Sequence, residues 1–196
     1  MELRRFAVEK VRNVALIAHG GAGKTSLAEA MLFNAGATDR LGRVDDGNTV
    51  MDHDPEEIRR KVSISMGIAP LEWKDHKFNL LDTPGYFDFV GEVKAALRVV
   101  ETALLLVDAV AGIEVGSELT WEHAVKAGVS RMIVINKMDR ENANFQKTLS
   151  ALEEAWGRGV VPFQLPIGAE ANFTGVVDVV QQKAYVFSGK QVKEEA

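Results

Sequence analysis

Cysteine is absent from the 196 residues. That absence removes disulfide frameworks, thiol catalysis and any Cys-ligated zinc or iron–sulfur centre, and it fits a cytosolic protein. An excess of basic charge is also missing. Lys plus Arg total 23 against 28 for Asp plus Glu, a formal charge of −5, which disfavours a chain whose task is gripping nucleic acid through a basic face. Long apolar runs are missing too. The most apolar stretch, residues 102–110, is broken by Asp108 and falls far short of the ~20 residues a membrane span needs. Residues 1–10 carry charges on both sides of every short apolar stretch, so they lack the apolar centre of a signal peptide. There is no internal repeat and no low-complexity tract. With 46% hydrophobic and 26% charged residues the chain has a globular rather than a disordered composition. Its length corresponds to one domain or slightly more at roughly 150 residues per domain.

Short β-rich apolar runs alternate with helical periodicity, the signature of strand–helix–strand units around a mostly parallel sheet. The spacing predicts a strand over 11–18 and a helix over 24–35, with Leu27, Ala28, Met31 and Leu32 on one face and Gly36 ending it. Residues 37–61 have little periodicity and many charges, and a loop of that length is functional or mobile. Its acidic part, 45–57, lacks calcium-loop spacing and reads as a solvated switch loop. Strands are predicted at 62–73 and 76–82 around a turn at Lys74-Asp75. A helix at 88–101, a strand at 102–109, a helix at 114–127 and a strand at 131–136 follow. Then come a helix at 142–156 and a strand at 160–165. After Gly168 the pattern changes to short strands at 176–180 and 183–187, an antiparallel appendage with a hairpin turn expected at Ser188-Gly189. Trp73, Trp121 and Trp156 read as packing anchors. His53, His76 and His123 show no ligand spacing.

Three segments carry chemistry. The first strand runs into Ala18, His19, Gly20, Gly21, Ala22, Gly23, Lys24, Thr25 and Ser26, where the first predicted helix begins. Glycines let the backbone wrap a phosphate with its N–H groups inward, at a helix N-terminus that adds partial positive charge. Lys24 would reach the β- and γ-phosphates, and the Thr25 hydroxyl would ligate magnesium. The second segment is Asp82, Thr83, Pro84, Gly85 and Tyr86 at a strand end. A carboxylate there can hold magnesium through water, and the Gly85 amide can reach a γ-phosphate. The third is Asn136, Lys137, Met138 and Asp139. The Asp139 carboxylate can accept from guanine N1–H and the 2-amino group, a donor pair adenine lacks. The Lys137 stem would lie along the base, and Asn136 would brace the phosphate loop. Three such elements in this order, each at the edge where open α/β sheets bind ligands, specify a GTP-binding domain.

From residue 12 to about 189 the chain resembles the N-terminal G domain of translational GTPases of the elongation factor G type. The resemblance rests on residues 12–19, the phosphate loop, 82–93, 107–112, 136–140 and 164–170, with 173–178 similar to the start of the insert that these factors carry. It implies an α/β P-loop NTPase fold (a Ras-like G domain) with a mostly parallel sheet, helices on both faces and a partial antiparallel β insert. Residues 1–166 would be the G domain, incomplete, and 167–196 the start of the insert. The implied cofactors are GTP or GDP and Mg2+, with Thr25, Ser63 and Asp82 as metal ligands and Lys24, Gly85 and Tyr86 at the reacting phosphate. The implied role is a cytoplasmic, monomeric, ribosome-associated factor that hydrolyses GTP to drive or regulate translocation, with no membrane and no direct DNA partner. The alternative is a slow or non-hydrolysing guanine-nucleotide switch acting in ribosome recycling or protection.

The sequence departs from the family pattern at four places. Tyr86 stands where the family usually carries His, and a phenol cannot supply a partly cationic imidazole at neutral pH, although it can still position water. Gly20 and Gly21 replace an apolar residue and an Asp. Ser63 replaces the switch Thr, keeping the hydroxyl and losing a methyl. Finally, the guanine pocket of the family is closed by a Ser-Ala-type loop. Topology alone nominates Gly168-Ala169, Ser150-Ala151 falls mid-helix, and the resemblance places the loop beyond residue 196, so the chain is expected to stop before its nucleotide-binding unit closes.

Overall fold

The computed structural model describes residues 5–188 and 191–195. The chain divides into two compact units, Met1–Leu106 with Glu114–Val134, and Val107–Ile113 with Ile135–Ala196. The main sheet has the order β2-β3-β1-β4-β5. Its strands are β1 (Val11–Ile17), β2 (Gly67–Trp73), β3 (His76–Asp82), β4 (Thr102–Asp108) and β5 (Ser130–Asn136). β1 lies parallel to both β3 and β4, and β2 is antiparallel to its neighbour β3. The α/β architecture expected from the alternating pattern is therefore present, with a hairpin at one edge. That hairpin turns at Lys74 and Asp75, both left-handed with φ of 46° and 63°.

Strand alternation decides which residues meet which helix. Val14 and Leu16 of β1 and Leu80 of β3 face Ala28 and Leu32 of α1 (Lys24–Asn34), with Ala69 and Leu71 of β2 and Leu106 of β4 in the same cluster. Ala15 and Ile17 point to the opposite face, where α3 (Val90–Leu97) packs on β1 and on α4 (Val115–Ala127). Leu16, Ile17, Leu80, Leu105 and Leu106 are fully buried.

The second unit contains α5 (Phe145–Trp156) and an antiparallel sheet in sequential order, β6 (Gln164–Ile167), β7 (Gly175–Asp178), β8 (Lys183–Ser188) and β9 (Gln191–Glu195). Gly189, half of the expected hairpin turn, lies outside the described residues. β9 extends the appendage by a strand that periodicity did not predict. Ala109, Met138 and Ala143 form a small buried cluster in this unit, with Phe145, Ala169 and Phe173 against it.

Several expected boundaries shift for identifiable reasons. The strand expected from residue 62 begins at Gly67, because the amides of Ile64 and Ser65 donate to Glu57 Oε1 and that of Met66 to Glu92. The helix expected from 142 starts at Phe145, since the Asn144 side chain caps it by accepting from the Lys147 amide. The strand expected at 160–165 is confined to Gln164–Ile167 and pairs with β7. The loop at 37–61 hides a short helix, α2 (Pro55–Arg60), which begins with a capping box made by Asp54 and Glu57. Trp73 is not a packing anchor: it ends the edge hairpin and is 50% exposed. Trp121 is half-buried with the Arg131 guanidinium 5.0 Å over its ring.

Leu16 fixes the centre of the first core. Leu16→Ala is expected to lower unfolding stability by about 3 kcal/mol in urea titration. A loss below about 1 kcal/mol would contradict its place in a close-packed interior.

Candidate functional site

The first unit brings three of the segments together at one end of the sheet. Between β1 and α1 the chain turns through Ala18–Gly23. Gly23, the residue before the helix, has φ of 99°, a left-handed conformation that a side chain disfavours. Lys24 and Thr25 are buried at the first turn of α1, and the Lys24 Nζ donates back to the carbonyls of Ala18 (3.4 Å) and His19 (3.3 Å). Ala22 is buried, whereas Gly21 and Ser26 are exposed. The His19 ring lies edge-on to Phe87, with its Nε2 3.5 Å from Glu114 Oε1.

β3 delivers the second segment in register, since Asp82 pairs with Leu16 across the parallel ladder. Thr83 then locks the exit: its amide (3.3 Å) and hydroxyl (2.7 Å) both donate to the Leu16 carbonyl. Pro84 is buried. At Gly85 a Cβ would stand 2.7 Å from both the Gly20 Cα and the Lys24 Nζ, so glycine is required by close approach. Tyr86 is half exposed.

Asp82 is 1% exposed, and neither carboxylate oxygen has a hydrogen bond of regular distance and angle, the Thr25 hydroxyl beside it acting only as a weak partner. Burial pushes its pKa up to about 7, an effect that the neighbouring Thr25 hydroxyl and Lys24 ammonium only partly offset. Burial likewise pushes Lys24 below the ordinary lysine value, against the pull of Asp82 and Asp52.

The third segment is the loop before β2. Ser63 Oγ lies 3.3 Å from Thr25 Oγ1. The sequence reading missed what holds it there. Glu29 of α1, 1% exposed, accepts from the amides of Val50 (2.6 Å) and Met51 (3.0 Å). Glu57, 2% exposed, accepts from Asp54, Ile64 and Ser65. Asp52 is also buried; burial raises its pKa while its hydrogen bond to Ser63 lowers it. The acidic stretch is thus not simply solvated. The run Asp54-Pro55-Glu56-Glu57 was the available signal, as a capping box with Pro at the first helical position.

The donor set fits a small hard cation. A weakly partnered buried carboxylate and two facing hydroxyls are oxygen ligands of the kind magnesium takes.

The second unit presents the segment Asn136–Asp139. Asn136 ends β5 and its carbonyl accepts from the Ala109 amide (2.9 Å). Lys137 has φ of 61° and its ammonium donates to Asp108 (2.7 Å). Partial burial alone would raise the Asp108 pKa, but Lys137 and the amides of Val110 and Ala111 hold it below its ordinary value. Met138 is buried, and its carbonyl accepts from the Glu170 amide (2.8 Å), while the Glu170 carboxylate accepts from the Asn142 amide (2.7 Å). Asp139 is exposed. Ala169 packs against the cluster that holds Met138, so the segment nominated by topology lies beside this motif, and Ser150-Ala151 sits inside α5.

The raised Asp82 pKa gives stability a signed pH dependence. The unfolded carboxyl ionises near 3.8 and the folded one at about 7. Between those values the folded state holds a proton that the unfolded state has lost, so metal-free stability falls as pH rises from about 4 to about 7. Asp82→Asn removes that loss, and its melting advantage over the unaltered chain should grow across the window by on the order of a few kcal/mol. A pH-independent difference would contradict the burial of a weakly partnered carboxyl.

Comparison with known proteins agrees with this geometry. The family model described as the elongation factor Tu GTP binding domain matches residues 9–193. Elongation factor G of Granulibacter bethesdensis is 41% identical over 186 residues, and that of Gluconobacter oxydans 42% over 188. These alignments cover 95% and 96% of this chain, which spans 27% of the length of either relative. A crystal structure of a Thermus thermophilus protein superposes with a TM-score of 0.90 at 39% identity, over 95% of this chain and 28% of that one. The chain belongs to the elongation factor Tu GTP-binding domain family.

Proposed function

We propose that this chain is the nucleotide-binding part of a ribosome-associated translation factor that hydrolyses GTP to drive or regulate translocation in polypeptide elongation. The observation that carries the reading is the pairing of a buried Lys24 with a weakly partnered, buried Asp82 at the end of the phosphate loop. The cation would hold β- and γ-phosphate oxygens, and the carboxylate awaits positive charge. Magnesium, when bound, neutralises charge on the phosphate oxygens; Thr25, Ser63 and Asp82 are the residues that would hold it. A cytoplasmic, monomeric factor is part of the same proposal. No helix among the described residues is long and apolar enough to cross a membrane.

In this mechanism residues 18–26 cradle the phosphates with backbone N–H groups, and Lys24 offsets the charge that spreads over the transferring phosphoryl group. Gly85 offers its amide to the γ-phosphate, and the Tyr86 phenol orders the water that attacks in line. Thr83 and Pro84 hold this loop against β1. For the base, Asn136, Lys137 and Asp139 take the guanine, with Met138 anchoring the turn. The named relatives are elongation factors, which favours the hydrolytic reading over a non-hydrolysing switch. Residues 1–166 would form the G domain, and 167–196 would begin its insert.

Calorimetric titration is expected to show GDP bound far more tightly than ADP. Asp139→Asn should weaken GDP binding at least about a hundredfold and favour xanthine nucleotides, because its amide no longer matches guanine's donor pair. Unchanged guanine preference would refute the role of Asp139. Ribosome-stimulated single-turnover hydrolysis tests the activity itself: no stimulation in the full-length parent would reject it.

A further inference from the structure

Gly20 has no backbone reason to be glycine. Its neighbours Gly21 and Gly23 take left-handed φ values of 80° and 99°, while Gly20 keeps an ordinary φ. What a side chain there would meet is Tyr86. A Cβ on Gly20 would lie 3.5 Å from both Cε2 and Cζ of the Tyr86 ring and 3.7 Å from the Gly85 carbonyl oxygen. A methyl group is in ordinary contact at that distance, and atoms beyond it run into the ring. The contacting atoms form the far edge of the phenol, which the smaller imidazole ring does not have. Gly85 is confined as well: a Cβ there would stand 2.7 Å from both the Gly20 Cα and the Lys24 Nζ. The ring therefore rests where the phosphate loop, the buried ammonium and the β3 exit meet.

We propose that Gly20 is a positioning residue for Tyr86. By carrying no side chain it lets the phenol ring sit on the phosphate loop, and the two residues act as a matched pair that sets where the Tyr86 hydroxyl stands at the reacting phosphate. A branched residue at 20 would crowd the Tyr86 ring out of this position. The proposal deepens the hydrolytic reading above and rests on it for the role of the hydroxyl, although the ring contact itself does not depend on nucleotide.

The test is a cycle of Gly20→Ala, Gly20→Val, Tyr86→His and Gly20→Val/Tyr86→His. The first readout needs no ligand. In proton–carbon spectra the Gly20 α-proton that faces the ring should be displaced by the ring current, and Tyr86→Ala should return it to its ordinary position. The second readout is single-turnover GTP hydrolysis with ribosomes, with GDP affinity and melting temperature measured alongside. Gly20→Val should slow it about tenfold, more than it weakens GDP binding, and Gly20→Ala should slow it less than the valine does. In the Tyr86→His background the same Val should cost no more than about twofold. An undisplaced α-proton, an additive cycle, or an alanine as damaging as the valine would overturn the pairing. A chain that binds GDP but hydrolyses no GTP fails the hydrolytic reading instead. The pairing is then decided by the α-proton shift and by whether the cycle is non-additive in affinity for a non-hydrolysable GTP analogue.

Discussion

A charge taken out of water must find a partner or shift its ionisation. At the head of this sheet a carboxylate and an ammonium are both sealed in, and neither is fully matched. Lys24 spends its hydrogen bonds on two carbonyls of its own loop, while Asp82 has none of regular geometry for either oxygen. The parallel pairing of β1 with β3 sets Asp82 opposite Leu16, and the doubly bonded Thr83 keeps the exit from drifting. Fully buried leucines on the same strands supply the apolar stabilisation that offsets this frustrated head.

The long loop between α1 and β2 follows from the same electrostatics. It contributes little to the apolar interior apart from Met51, yet it has a definite course because Glu29, Glu57 and Glu92 each accept backbone amides from it. Carboxylate-to-amide bonds are strong and directional, so a few of them fix Ser63 beside Thr25 with little packing. The result is a segment ordered by polar contacts that all lie close to the charges at the phosphate end. The Asn136–Asp139 turn is held on a similar principle, with Asp108 and Glu170 binding its flanks.

Much of this was readable in the sequence. Alternating strand and helix periods gave the α/β layering and all five strands of the main sheet, because period-2 and period-3.6 patterns are local. The glycine-rich loop, Asp82–Tyr86 and Asn136–Asp139 were legible because each needs particular residue types at fixed spacing. The helix at Pro55–Arg60 was legible in principle from its capping box but was masked by the density of charge around it. The true start of β2 was not legible, since it depends on amides captured by Glu57 and Glu92 from elsewhere in the chain. Nor was the exposure of Trp73, which follows from its place at the tip of an edge hairpin.

The sequence by itself determined the order of the elements, the three motif segments and the family. Only the tertiary structure decided which acidic residues are buried. Asp52 and Glu57 look like any other surface charge in a polar run, Glu29 is the one acidic residue on a mostly apolar helix, and burial depends on what the fold brings over them. The same holds for Gly20, which local reading took for a lost side chain. In three dimensions a Cβ there would lie in contact, at 3.5 Å, with the edge of the Tyr86 ring, because contact between residues so far apart in the chain is fixed by strand register and not by neighbours in sequence.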